Sequence, residues 1–227
     1  MPERQLEEGG REMAKYDWIG EALVNSITQV LVPTFVDLMA DLGREAVDAV
    51  RGLDLQPIPG TIFADKLSGT AGNDLFFTGA GADTIRAGAG TDVIVAGKGD
   101  DVIDGGAGSD VMSGGSGNDR FVFTSAALVA GDQDLVVDAK AGERLDFDAA
   151  SESLLRIGGV ALSALTANTA VPTFLQAGVT NVAQIDGHLV IDLNNDGLYD
   201  TANDYKIIIP DGLSLRYDAG ADWFVIG

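Results

Sequence analysis

The chain has 227 residues, with 35 acidic against 14 basic side chains and a formal net charge of −21. This negative balance argues against nucleic acid or an anionic membrane as a partner, because both would repel the protein. The chain has no cysteine, which excludes disulfides and thiolate metal sites. We also expect no transmembrane segment, because no apolar run is long enough to span a bilayer.

Residues 1–52 predict an N-terminal helical segment. Pro33 is expected to split it into two helices, and Gly52, Pro57, Pro59 and Gly60 mark its boundary with the next domain. Two roles stay open for residues 14–52: capping one end of that domain, or self-association into a homo-oligomer or surface assembly. Apolar residues recur at helical spacing at Ile19, Leu23, Ile27, Val30, Leu31, Phe35, Leu38, Met39, Leu42, Ala46, Val47 and Val50.

A nine-residue repeat fills residues 69–122, in six unbroken copies that begin GTAGNDLFF and end GGSGNDRFV. Each copy has a glycine at its fourth position, an aspartate at its sixth and an apolar residue at its eighth. The pattern predicts a glycine-rich turn followed by a short strand. One copy cannot bury its own apolar residue, so the copies must stack and share a core.

Stacking has an electrostatic consequence. Equivalent turns of neighbouring strands lie about 4.8 Å apart, so the aspartates of the repeat would form columns of like charge. Such columns are unfavourable unless cations lie between the turns. Carboxylates together with turn carbonyls form an all-oxygen shell, which suits Ca²⁺.

The repeat closely resembles the G-G-x-G-x-D-x-U-x nonapeptide of the RTX (hemolysin-type calcium-binding repeat) family. The last two copies match it fully, whereas Thr70, Thr78, Ala87 and Ala96 replace one glycine of the opening pair in the first four. We expect little loss from these replacements, because the ligand at the opening pair would be a carbonyl. A degenerate copy at residues 60–68 keeps Asp65 and is expected to be a cap with a weak or absent ion site.

The resemblance implies a mainly β fold. This fold is a parallel β-roll over residues 60–122, with the N-terminal helical segment before it and a C-terminal β-rich cap over residues 123–227. Two copies would make one turn of the roll, with several Ca²⁺ ions, roughly four of them internal, between each copy and the next but one. The implied ligands are the carboxylates of Asp74, Asp83, Asp92, Asp101, Asp110 and Asp119 and the turn backbone at Gly72, Gly81, Gly90, Gly99, Gly108 and Gly117.

The sequence after the repeats predicts a series of short strands. Residues 120–123, 134–138 and 143–147 resemble the strands that follow the repeats of serralysin-type proteases. Residues 151–184 have little periodicity, and helix and loop both stay open there. Residues 189–192, 205–209 and 223–226 are expected to be strands that close the C-terminal end of the roll.

A second calcium loop is predicted at residues 192–204. Asp192, Asn194, Asp196 and Asp200 place oxygen ligands at alternate positions around Gly197, as in the loop of an EF-hand, with Asp204 as an additional ligand. The glutamate at position 12 of that loop is missing, since Asn203 stands there. The alternative is a hairpin turn rich in Asn and Asp.

The sequence also predicts that the protein is exported. The N-terminus does not resemble a cleavable signal peptide. The acidic-then-apolar end at residues 222–227 resembles the C-terminal signal read by type I secretion machinery, although the same residues suit a plain final strand. We therefore expect a secreted, extracellular protein that folds on external calcium.

Catalysis is not predicted. His188 is the only histidine, and the chain lacks an H-E-x-x-H motif, a G-x-S-x-G motif and a cysteine nucleophile. The leading interpretation is a non-enzymatic structural or adhesive RTX protein that assembles at or near the bacterial cell surface. The alternatives are a repeat module accessory to a carbohydrate-acting or other exported enzyme, and an enzyme or toxin whose site lies in residues 123–227.

Overall fold

The computed structural model describes residues 54–165 and 169–227. The helices expected over residues 14–52 lie outside those ranges. In the described part of the chain, two eight-stranded sheets are built from strands that alternate between them along the repeat. The mainly β class and the parallel β-roll are therefore confirmed.

The roll consists of ten short strands, five in each sheet, and strands of one sheet pair in parallel. The first sheet takes β1 (Gln56–Pro59), β3 (Asp74–Ala80), β5 (Val93–Lys98), β7 (Val111–Ser116) and β9 (Gln133–Val136). The second sheet takes β2 (Lys66–Ser68), β4 (Thr84–Ala89), β6 (Val102–Ala107), β8 (Arg120–Phe123) and β10 (Arg144–Phe147).

Register follows the repeat. Phe76 lies beside Ile94 and Ile94 beside Met112, so each strand pairs with the strand two copies away. The apolar residue of every copy therefore points into the space between the sheets. Each such side chain is at most 1% exposed, and burying one is worth about 1.5–3 kcal/mol; the six residues are Phe76, Ile85, Ile94, Ile103, Met112 and Phe121.

The C-terminal region continues both sheets. In the first sheet, β16 (Tyr205–Ile208) runs parallel to β9, and β15 (His188–Ile191) and β14 (Val182–Ile185) follow in antiparallel order. In the second sheet, β18 (Trp223–Ile226) and β17 (Leu215–Asp218) follow β10, and β13 (Thr169–Ala170) ends the order. Residues 222–227 thus contain a strand in the middle of the second sheet.

Residues 149–165 cover this end of the core. Helix α1 (Ala149–Leu154) begins after Asp148, whose Oδ1 accepts a hydrogen bond from the Ser151 amide at 2.7 Å. The short pair β11 (Arg156–Ile157) and β12 (Val160–Ala161) and a 3-10 turn at Leu162–Ala164 follow. Aromatic rings fill the core beneath, with Phe147 stacked on Phe123 and edge-on to Phe224.

Candidate metal centre

The turns of the repeat bring backbone carbonyls into the space between neighbouring coils. The second and fourth residues of each turn from Gly79 to Gly117 are left-handed glycines. A Cβ added to Gly99 would lie 1.8 Å from the Gly81 carbonyl oxygen, and one on Gly108 would lie 1.9 Å from the Gly90 oxygen. These turn carbonyls therefore face the next turn, and only glycine permits so close an approach.

The repeat aspartates form two columns, one along each edge of the roll. The first column is Asp74, Asp92 and Asp110, and the second is Asp65, Asp83, Asp101 and Asp119. In each column, Oδ1 of an aspartate accepts a hydrogen bond from the backbone amide of the aspartate eighteen residues earlier, at 2.7 to 3.0 Å. The stacking expected of the six repeat aspartates is thus present in the structure.

One carboxylate oxygen of the repeat aspartate in each of the six full copies is buried and has no hydrogen-bond partner. These atoms are Asp74 Oδ1 and the Oδ2 atoms of Asp83, Asp92, Asp101, Asp110 and Asp119. Leaving one such oxygen unsatisfied costs about 1–3 kcal/mol, and more when it is charged. Buried anionic oxygens beside turn carbonyls form the donor set of a hard cation, so these residues fit Ca²⁺.

Burial also shifts the protonation of three of these carboxyl groups. Burial raises the pKa of Asp92 and of Asp101 to about 6 and that of Asp110 to about 7. A hydrogen bond from the preceding aspartate amide lowers each value, and the charge of neighbouring column members raises it further. Without a cation, burial therefore makes these groups harder to ionise than an exposed aspartate.

The first two turns differ from the rest, because threonine stands at their second position. Thr70 donates to Asp74 Oδ2 from its amide at 2.6 Å and from its hydroxyl at 3.0 Å. Thr61 contacts Asp65 Oδ2 in the same way, at 2.7 and 2.9 Å. Gly72 is not left-handed, unlike the equivalent glycine of the later turns. Thr70 is thus more than a neutral replacement, and Thr61 supports the expectation of a weak or absent site at Asp65.

The structure adds two column positions that the repeat pattern does not reveal. Asp134 lies in β9, directly before the two residues that pair with β7, and its Oδ1 accepts a hydrogen bond from the Asp110 amide at 3.0 Å. Glu143 stands directly before β10, which pairs with β8 so that Arg144 lies beside Arg120. The short Asp134-Leu135-Val136 match to the repeat was the only signal in the sequence, since an insertion breaks the nine-residue phase.

The loop at residues 192–204 satisfies its carboxylates internally. Asp192 Oδ2 accepts from the Gly197 amide at 2.7 Å, and Asp196 Oδ1 accepts from the Leu198 amide at 2.8 Å. Asn194 and Asp200 likewise accept from loop amides. These contacts are those of a turn rich in Asx hydrogen bonds, and calcium binding by the loop stays a prediction.

Within residues 54–165 and 169–227, no group of three or more His, Cys, Asp or Glu side chains is arranged to hold a metal ion. A cation in the columns would therefore depend on turn carbonyls as much as on carboxylates. His188 is half-buried, and burial lowers its pKa. No helix of the described ranges is long and apolar enough to cross a membrane.

Fold and site together define a parallel β-roll whose turns direct carboxylate and carbonyl oxygens toward hard cations. The family model of the RTX calcium-binding nonapeptide repeat (four copies) matches residues 59–94 and 87–121. Residues 59–121 of the chain therefore consist of RTX calcium-binding nonapeptide repeats. The match ends at residue 121, so the resemblance of residues 123–227 to serralysin-type proteins stays a prediction.

No curated protein matches the chain. Among solved structures, the chain is similar to the solution structure of the AlgE6R3 subunit from the Azotobacter vinelandii mannuronan C5-epimerase. The identity is 22%, the TM-score is 0.22, and the match covers 69% of this chain and 76% of that chain.

Proposed function

We propose that the protein is a secreted structural protein whose roll folds when Ca²⁺ enters the two columns. Asp83, Asp92, Asp101, Asp110 and Asp119 would each supply a carboxylate oxygen. The turn backbone around Gly81, Gly90, Gly99, Gly108 and Gly117 would supply carbonyl oxygens. One oxygen of each of these aspartates has no hydrogen-bond donor, and the positive charge of the ion would stabilise it instead.

One observation carries this proposal: each of these aspartates keeps one buried oxygen without a partner. A polar group in a protein core is normally satisfied, and a run of exceptions at one repeated position indicates an absent ligand. The shell contains only oxygen, the atom that Ca²⁺ prefers. Roughly four ions would lie between the six repeat copies, with Asp74 and Gly72 at a weaker first position.

Calcium would act as a folding signal. Extracellular calcium modules bind in the range of about 0.1 to 1 mM, so the roll would stay open inside the cell and close outside it. RTX-repeat proteins are typically extracellular. Export through a type I system that reads residues 222–227 fits this behaviour, because β18 would be free before the second sheet forms.

The structural or adhesive role follows from the rest of the chain. Residues 14–52 carry a broad apolar stripe that suits self-association, and the acidic surface could be bridged by further calcium. We propose that the protein assembles near the cell surface and performs no reaction.

Circular dichroism of the full chain in chelator and in millimolar CaCl₂, combined with a calcium count by isothermal titration, tests the folding proposal. We expect β structure to increase on calcium addition with several ions bound per chain. Equal β content in both conditions, or no stoichiometric uptake, would contradict it.

Sedimentation velocity tests the assembly proposal separately. We expect the full chain to form larger species in calcium, and a variant lacking residues 1–52 to bind calcium as a monomer. A full chain that stays monomeric with its calcium bound would exclude assembly while leaving the calcium sites intact.

A further inference from the structure

The second column does not stop at the last repeat. The pairing of β10 with β8 places Glu143 one coil beyond Asp119, at the position that the next aspartate of the column would take. Glu143 is completely buried, and its Oε2 accepts the Lys140 amide at 3.0 Å. Between earlier turns of the repeat, a cation would lie in the gap between neighbouring coils. At the last turn, the Glu143 carboxylate lies across the equivalent gap.

A cation of the protein itself lies in this gap. The Lys140 ammonium donates to the Gly115 carbonyl at 2.8 Å and forms an ion pair with Glu143 Oε1. It also lies 3.8 Å from Asp119 Oδ2, one of the oxygens that lack a hydrogen-bond donor. The ammonium thus has one turn carbonyl and two carboxylates of neighbouring coils around it, the same kinds of oxygen that the repeat turns offer a metal ion.

The first column ends in a comparable way, with a different donor. Asp134 is its next member, and the Tyr205 hydroxyl donates to Asp134 Oδ2. Asp134 and Tyr205 are both at most 1% exposed. The oxygen that has no partner in Asp92 and Asp110 is therefore satisfied by protein at this rung.

Resting on the calcium role proposed above, we propose that Lys140 is a built-in cation that occupies the terminal metal position of the second column. Its positive charge completes the last rung without calcium and sets the number of ions that the column binds. Its side chain is 45% exposed, so solvent ions can reach the position if the ammonium is removed. In the folded roll, the last turn is then held against β10 by a cation of the protein instead of by calcium.

The Lys140→Met substitution tests this proposal, because methionine keeps most of the side-chain length and removes the charge. Lys66→Met is the matched control, since Lys66 is exposed on β2 and far along the column. Bound calcium per chain is counted by equilibrium dialysis and elemental analysis in millimolar CaCl₂. We expect Lys140→Met to bind one ion more than wild type and Lys66→Met to bind the wild-type number.

An unchanged ion count in a folded Lys140→Met variant would overturn the inference. If wild type itself takes up no calcium, the proposed function fails, and the two failures are distinguishable from the wild-type count alone. If Lys140→Met does not fold even in calcium, the double variant Lys140→Met, Glu143→Gln decides. The double variant removes the Glu143 charge that Lys140 no longer neutralises, so we expect it to fold and to bind as many calcium ions as wild type. If the double variant also misfolds, Lys140 acts through packing and the inference is wrong.

Discussion

The two acidic regions of this protein, the columns and the loop at residues 192–204, use their aspartates in opposite ways. At the six repeat aspartates of the columns, one carboxylate oxygen accepts a backbone amide and the other has no hydrogen-bond partner. In the loop, Asp192 and Asp196 accept amides of their own turn. The spacing of acidic residues alone therefore does not show that the fold needs a bound ion. An ion is needed where a buried carboxylate oxygen still has no partner after the backbone amides have formed their hydrogen bonds.

The difference predicts which region needs calcium for its shape. The loop is held by its own hydrogen bonds and can keep its conformation with or without an ion. The columns combine buried charge with unsatisfied oxygens, so their free energy of unfolding must depend on the cation.

The largest expected effect comes from a single column carboxylate. When calcium is present at roughly 100 times its Kd, Asp101→Asn should lower the stability by about 3 kcal/mol, the contribution of one bound ion. The same substitution should stabilise the calcium-free roll, because it removes a disfavoured buried charge. Thermal unfolding in calcium measures the first effect, and the β content that remains in chelator, measured by circular dichroism, reports the second.

Asp196→Asn is the matched change in the loop. It should alter stability by less than about 1 kcal/mol in either condition, because asparagine still accepts the Leu198 amide. The ion count then tests the loop itself: a loss of one ion would confirm a site there, and an unchanged count would remove it. An equal loss of stability in Asp101→Asn and Asp196→Asn would refute the distinction between the two regions.

The close contact between coils gives the second prediction. Gly99→Ala should cost about 2 to 3 kcal/mol, because its Cβ would overlap the Gly81 carbonyl. Gly158→Ala is the control: it has a φ of +60° with no atom within 4 Å of the added carbon, and should cost about 1 kcal/mol. Urea unfolding in calcium compares them, and similar costs would mean that the turns are not tightly stacked.

The third prediction concerns pH. The folded pKa values of Asp92, Asp101 and Asp110, about 6 to 7, lie above the value of about 4 expected in the unfolded chain. The folded, calcium-free roll therefore binds protons more tightly, and its stability should fall as pH rises from about 4 to about 7. Calcium affinity should change in the opposite direction, because binding needs ionised carboxylates.

The loop behaves differently at one of its carboxylates. A hydrogen bond from the Asn203 side chain lowers the pKa of Asp200, so this group stays ionised over the same range. Circular dichroism in chelator and calcium titration, both at pH 5 and pH 7, test the prediction, and more β structure should remain in chelator at pH 5. Calcium-free stability that increases between these values would show that the column carboxylates are not the dominant titrating groups.

The smallest effect is expected from the rim of the loop. Asn203→Ala removes two exposed hydrogen bonds to Asp200, of 2.9 and 3.0 Å, and should cost about 0.5 kcal/mol or less. The calcium dependence of unfolding should be that of wild type. A loss comparable with that of Asp101→Asn would place the loop among the elements that the fold requires.

The sequence was sufficient to predict the roll, because the nine-residue phase determines the register, the inward apolar residues and the stacking of the repeat aspartates. It was not sufficient to predict the ends of the columns. Asp134 and Glu143 follow insertions that break the phase, and their partners Tyr205 and Lys140 are identified only by three-dimensional contacts. Thr70 was underestimated for a similar reason, since the consensus emphasises its carbonyl, whereas the structure uses its hydroxyl.

Strand β1 has a consequence for how copies of this protein can meet. Within the described residues it is the outermost strand of the first sheet, and the Gln56 and Gly60 amides are directed to the β3 side. The alternate positions, which face away from the sheet, are Pro57 and Pro59, and proline has no N–H to donate. A strand from another molecule finds no amide donor along this edge, so end-to-end growth into a fibril is blocked there. Contacts between copies at this edge must therefore be made by side chains, which leaves their spacing open to control by ions.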